Sequence, residues 1–204
     1  GGLGGFNTKL VRFHQEFFTR VKLAGADVDI VTFDGASVPV TVNPTGQDRI
    51  DAVFDNVTRT AAIVAHLKEL AAVAVGDLSS VPSSLGGLGV ADVPIGITGY
   101  YIQAYQDPEV HARYEGLTDE IQASALAGLL NQIVISGVHE AYHWQPQARS
   151  DWPYNVDGNM QSLFRDTRSG MGDGTPFLNY FVYKAFVDHF SRGTPIYEVE
   201  VTGD

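Results

Sequence analysis

Hydrophobic positions recur at helical spacing in four stretches of this chain. Leu10, Phe13, Phe17 and Val21 form one stripe and predict a helix from about Thr8 to Leu23. Ile50, Val53, Phe54, Val57, Ala61, Val64 and Leu67 form a second, over about Gln47 to Val75, with Thr45 and Asp48 resembling a capping signal at its start. Leu126, Leu129, Leu130, Ile133 and Val134 give a broad apolar face to a third, over about Thr118 to Trp144. Asp119 and Glu120 suit the positive end of its dipole, and Pro146 stops it. A fourth runs from about Pro176 to Ser191, with Thr175 as cap, Pro176 at the first position and Gly193 past the end.

Elsewhere the period is two. Val28, Ile30 and Phe33, then Val38, Val40 and Val42, flank Asp34-Gly35 and predict a β-hairpin. Ile196 to Val201 alternates apolar and acidic residues and predicts a short last strand. Segment 77–99 is rich in Gly, Ser, Pro and Val and reads as a long loop, followed by the aromatic patch Tyr100, Tyr101 and Tyr105. The expected fold is mainly α: about four helices with a small β-hairpin insertion and a short C-terminal strand, in one domain over residues 1–204.

Composition narrows the function classes. The 204 residues are 44% hydrophobic and 18% charged, an ordinary globular balance that can bury one good core. The net charge of −11, with only 13 Lys plus Arg, argues against DNA or RNA as partner, because no basic stripe is there to neutralise phosphates. Cysteine is absent, which removes disulfides, thiolate metal sites and cysteine nucleophiles. No apolar run reaches the length of a membrane span; the longest, Leu126 to Val138, contains Asn131 and Gln132. The chain opens on Gly1-Gly2-Leu3 without an initiator Met, which fits either a trimmed start or a removed leader, the second making a secreted form the expectation.

One pentapeptide points to chemistry: His139-Glu140-Ala141-Tyr142-His143, an HExxH pattern at the end of the third predicted helix. On a helix, imidazoles four residues apart share a face and can reach one ion, and the adjacent carboxylate can take a proton from metal-bound water. The pentapeptide resembles the zincin metallopeptidases. That resemblance implies zinc as cofactor, His139 and His143 as its ligands, Glu140 as general base and a third ligand downstream. Pro146 and Arg149 stand where the extended motif would place its glycine and third histidine. Asp151, Asp157, Asp166, Asp173, Asp188 and His189 are all available downstream; Asp166, on the short stretch Asn159 to Thr167, is the expected third ligand. The expected function is a zinc-dependent hydrolase, with the 77–99 loop, Tyr100 and Tyr101 shaping a cleft.

Two other readings stay open. Glu140 and His143 also make one Glu-x-x-His pair, which with Glu16, His66, Glu69, Asp188 and His189 would suit a ferritin-like dimetal bundle. An acidic chain rich in glycine and aromatics would equally suit a structural subunit of a homo-oligomer. His14, His66 and His111 stand alone, as surface or satisfied core histidines usually do. The fourth helix, with Phe177, Tyr180, Phe181, Tyr183, Phe186 and Phe190, reads as core or subunit contact. Segment 165–174 lacks the Lys-Ser or Lys-Thr ending of a phosphate loop, and no Gly-x-Ser-x-Gly elbow occurs.

Overall fold

A computed structural model describes residues 8–36, 46–72, 93–101, 119–143, 162–164, 174–191 and 193–195. Helices and strands alternate along them: α1 (Thr8–Leu23), β1 (Val31–Ala36), α2 (Gly46–Ala72), β2 (Ile95–Tyr101), α3 (Asp119–Ile135), β3 (Glu140–His143) and α4 (Leu178–His189). The strands form one three-stranded sheet in the order β1-β2-β3, and both pairings are parallel. The expected mainly-α fold with a hairpin insertion is therefore replaced by an α/β arrangement. Parallel neighbours need a crossover, and α2 and α3 supply one each.

The hairpin fails for a specific reason. Asp34-Gly35 is not a turn but lies inside β1, where Asp34 pairs with Gly99 and Gly35 with Tyr100. The segment 77–99 is not all loop either, since Ile95 onward is the central strand of the sheet. The predicted strand at Ile196 to Val201 lies outside the described residues, as does Tyr105.

Strand alternation divides the sheet into two unlike faces. Val31 and Phe33 of β1 and Ile95, Ile97 and Tyr100 of β2 are buried. They share a core with Phe18 of α1, Val53, Val57, Val64 and Leu67 of α2, and Leu126, Leu129, Leu130 and Ile133 of α3. Thr32, Asp34, Thr98 and Tyr142 are exposed on the other side. Helix α2 packs on α3, and α3 on α4. A methyl group on Gly128 would sit 3.2 Å from Val57 Cγ1, so the small residue is what lets α2 and α3 approach.

The central strand carries one bulge. Phe33 pairs with Ile97 but Asp34 pairs with Gly99, and on the other edge Ala141 pairs with Ile97 but His143 with Tyr100. Thr98-Gly99 therefore holds the extra residue. The Thr98 hydroxyl donates to the Phe33 carbonyl at 3.2 Å. The extra residue puts Tyr100 on the helix-covered face with Ile95 and Ile97.

Helix α3 stops well short of the predicted Trp144. Gly137 has φ of 64°, its N–H donates to the Val134 carbonyl at 3.1 Å, and the Val138 N–H donates to the Ile133 carbonyl at 3.4 Å. This pair of bonds is a Schellman ending, with Val138 and Ile133 in the apolar contact that accompanies it. Lys68 Nζ donates to the Ser136 carbonyl at 3.2 Å, placing a cation at the negative end of the dipole. A side chain at Gly137 would cost about 1–2 kcal/mol in the left-handed region. The chain then turns directly into β3. Helix α4 also starts later than its sequence suggests. Its N-cap is Phe177, without a side-chain cap bond, while Pro176 bridges Phe164 in extended backbone, so Thr175 is not the cap.

Candidate functional site

The HExxH residues lie on a strand. His139 precedes β3, where its N–H donates to the Ile95 carbonyl at 2.8 Å, and its side chain is exposed. Glu140 to His143 make the strand itself. Four residues of strand span roughly 13 Å, against about 6 Å on a helix, so His139 and His143 are too far apart along β3 to share one ion. Glu140 points to the opposite face from both. It lies over Gly96 beside the Thr32 methyl group, and Tyr142 donates to its Oε2 at 3.1 Å. That bond is the main reason the exposed Tyr142 phenol is raised above its ordinary pKa. The zincin geometry thus does not fit this backbone. Asp166 lies outside the described residues. Among the described residues no three His, Asp or Glu side chains come together as metal ligands. The Glu-x-x-His pair of the dimetal reading has its two members on opposite sides of the sheet, for the same reason of alternation.

His143 has a different setting. It ends β3 on the helix-covered face, opposite Tyr100 at the end of β2. The two rings meet edge to face with centroids 5.2 Å apart. Tyr183 of α4 closes the other side, its ring centroid 6.0 Å from that of His143. The site thus draws one residue from each of three elements: β2 through its bulge, β3 through its last position, and α4 through the face that it packs inward.

Burial sets the electrostatics. Desolvation of His143 lowers its pKa from 6.5 to about 4, so the ring is neutral at physiological pH. The phenol of Tyr100 is pushed well above its ordinary range, first by burial and then by the neighbouring Tyr183 hydroxyl, which hydrogen-bonds it. His143 and Tyr100 are therefore both uncharged. His143 Nδ1 is buried and, among the described residues, has no hydrogen-bond partner. A buried polar atom left alone costs about 1–3 kcal/mol, and such an atom in a folded protein calls for a water, a ligand or a catalytic role.

No family model, curated protein or solved structure matches this chain. In open α/β sheets, ligands bind outside the carboxyl ends of the strands where the strand order reverses, a reversal that the order β1-β2-β3 does not contain. His143 and Tyr100 sit at carboxyl ends all the same, on the central strand and its neighbour.

Sequence reasoning singled out His143 and Tyr100, but for other partners. It read Tyr183 as core or subunit contact. The signal available for Tyr183 was its inward position on α4 between Val182 and Phe186, both packed against the core. Nothing in the chain order tied that face to His143.

Proposed function

We propose that this chain acts on a small molecule at the carboxyl end of its sheet, with His143 as the proton acceptor and the Tyr100–Tyr183 pair as its hydroxyl wall. One observation carries the reading: a neutral, half-buried imidazole at the end of a parallel strand, its Nδ1 buried and without a hydrogen-bond partner among the described residues. At neutral pH the ring is wholly in its accepting form, and the Tyr100 phenol, held protonated chiefly by burial, can donate to an oxygen that gains charge. Hydrolysis of an uncharged ester fits these parts: the ring takes a proton from water, and a phenol meets the carbonyl oxygen.

The test uses p-nitrophenyl acetate. Replacing His143 with Gln should lower the rate by about 100-fold, within the range that a general base contributes. His139→Gln, at an exposed histidine, should leave it unchanged. The acid limb of the wild-type profile should fall near pH 4 and not near 6.5. Full activity in His143→Gln would refute the assignment.

A second reading, a self-associating subunit, has its own support. Leu178, Phe181, Val187 and Phe190 are large apolar side chains exposed on or beside α4. The Lys184–Asp188 ion pair leaves the helix without net charge between them. Sedimentation velocity at rising concentration separates the readings: a single monomer boundary throughout excludes assembly through α4. Among the described residues no helix is long and apolar enough to cross a membrane.

A further inference from the structure

Helix α4 is apolar on more than one side. Asn179 is buried, and Val182, Tyr183 and Phe186 pack against the core. On the outside, Leu178, Phe181, Lys184, Val187 and Phe190 recur at every third position, and all five are exposed. The row runs from the first residue of the helix to its C-cap. Residues three apart are neighbours on a helix surface, so the five form one ridge. A helix that is apolar all round belongs in an interior. Exposed apolar patches rimmed by polar residues mark contact sites for another protein.

Charge says which protein. The chain carries a net −11, so two copies repel each other over most of their surfaces. The ridge is an exception, because its one cation, Lys184, is paired with Asp188 on the same helix. The ridge also reads alike in both directions: two apolar side chains, Lys184, two apolar side chains. A two-fold axis near Lys184 sets Leu178 opposite the partner's Phe190 and Phe181 opposite the partner's Val187. Each Lys184 then has its own Asp188 one turn to one side and the partner's Asp188 one turn to the other. In a parallel pair every residue meets its own copy, Asp188 against Asp188, which the antiparallel order avoids.

We propose that α4 is the contact between two copies of this chain, set antiparallel about a two-fold axis near Lys184. The proposal rests on the self-association reading and adds the arrangement of the copies. An interface confined to one helix falls at the low end of what specific complexes bury, so pairing is expected in the micromolar range.

The chain has no cysteine, so one introduced thiol is the only one in each variant. Leu178→Cys and Phe190→Cys are made in the full chain and oxidised separately and as an equal mixture, at concentrations where sedimentation velocity shows dimer. Antiparallel pairing should give the mixed 178–190 disulfide, identified by mass spectrometry, at least about tenfold more abundantly than either like pair. Two copies of residue 178 would lie about 18 Å apart along the helices, beyond the reach of a disulfide. Like pairs within each variant, with no mixed product, would overturn the antiparallel order and leave self-association standing. Monomer at every concentration of the unmodified chain would overturn both. Lys184→Glu should weaken the dimer at least about tenfold, and adding Asp188→Lys to it should restore pairing. An unchanged dimer in Lys184→Glu would overturn the placing of the axis. All four replaced side chains are exposed, so the variants are expected to fold, and far-ultraviolet circular dichroism checks that they do.

Discussion

Replacing Ile97 with Ala should destabilise the protein by about 3 kcal/mol, within the 2–5 kcal/mol that such truncations cost in packed cores. Ile97 is the midpoint of the central strand, only 1% exposed, with Phe33 on one side and Ala141 on the other. Removing its branched side chain takes away buried apolar area and leaves a void beneath the helices, because both flanking strands are held by their own ladders. The neighbouring residue is the control. Thr98 is exposed, and its side chain makes one hydrogen bond to the Phe33 carbonyl. Thr98→Ala should cost about 1 kcal/mol, the net value of such a bond. Urea denaturation of the two variants reads the difference as a shift in midpoint at constant slope. Equal losses would mean that the two faces of the sheet are not as unlike as described.

The second large effect is on stability against pH, and His143 carries it. Its pKa in the folded protein is about 4, below the ordinary 6.5. Protonation therefore favours the unfolded chain. The stabilisation is complete above pH 6.5 and is lost as the pH falls from 6.5 to about 4. At about 1.4 kcal/mol per unit, the loss is about 3 kcal/mol. Charging the ring would also put a second N–H donor at buried Nδ1, where no acceptor stands. His143→Phe should lack this component while keeping every other titrating group. The measurement is therefore the difference in unfolding free energy between wild type and variant at pH 7.5 and at pH 4. A difference that does not change between the two would show His143 to be solvated.

Much of the helical content was legible from spacing alone. Helix α1 runs over the span that its stripe predicted, and α2 starts within a residue of it, because both carry an apolar face long enough to outweigh their local exceptions. The sheet was not legible, and particular residues explain why. Ile95-Gly96-Ile97-Thr98-Gly99 holds two glycines in five positions, a composition typical of loops, yet β-branched residues alternate with them. The glycines mark where Thr32 and Glu140 overhang the strand and where it bulges. At Asp34-Gly35 the local turn preference lost to pairing with β2, a contact made with residues far along the chain. The candidate site was half legible. His143 stood out, but its apparent partner, His139, was chosen by counting residues on a helix that ends at Ile135. The stop signal was Gly137 followed by Val138, and the apolar run before it hid the change of period.

Strand order and chain order coincide in this sheet. Among the described residues each strand therefore meets a neighbour made immediately before it, with one helix between them. A chain emerging from the ribosome can lay down β1, cover it with α2, add β2, cover that with α3 and add β3, enlarging one structured nucleus in the direction of synthesis. His143 is the last position of that series, so its aromatic surround is completed only when α4 arrives. The part of the molecule with chemical potential is thus assembled last, on a scaffold already in place.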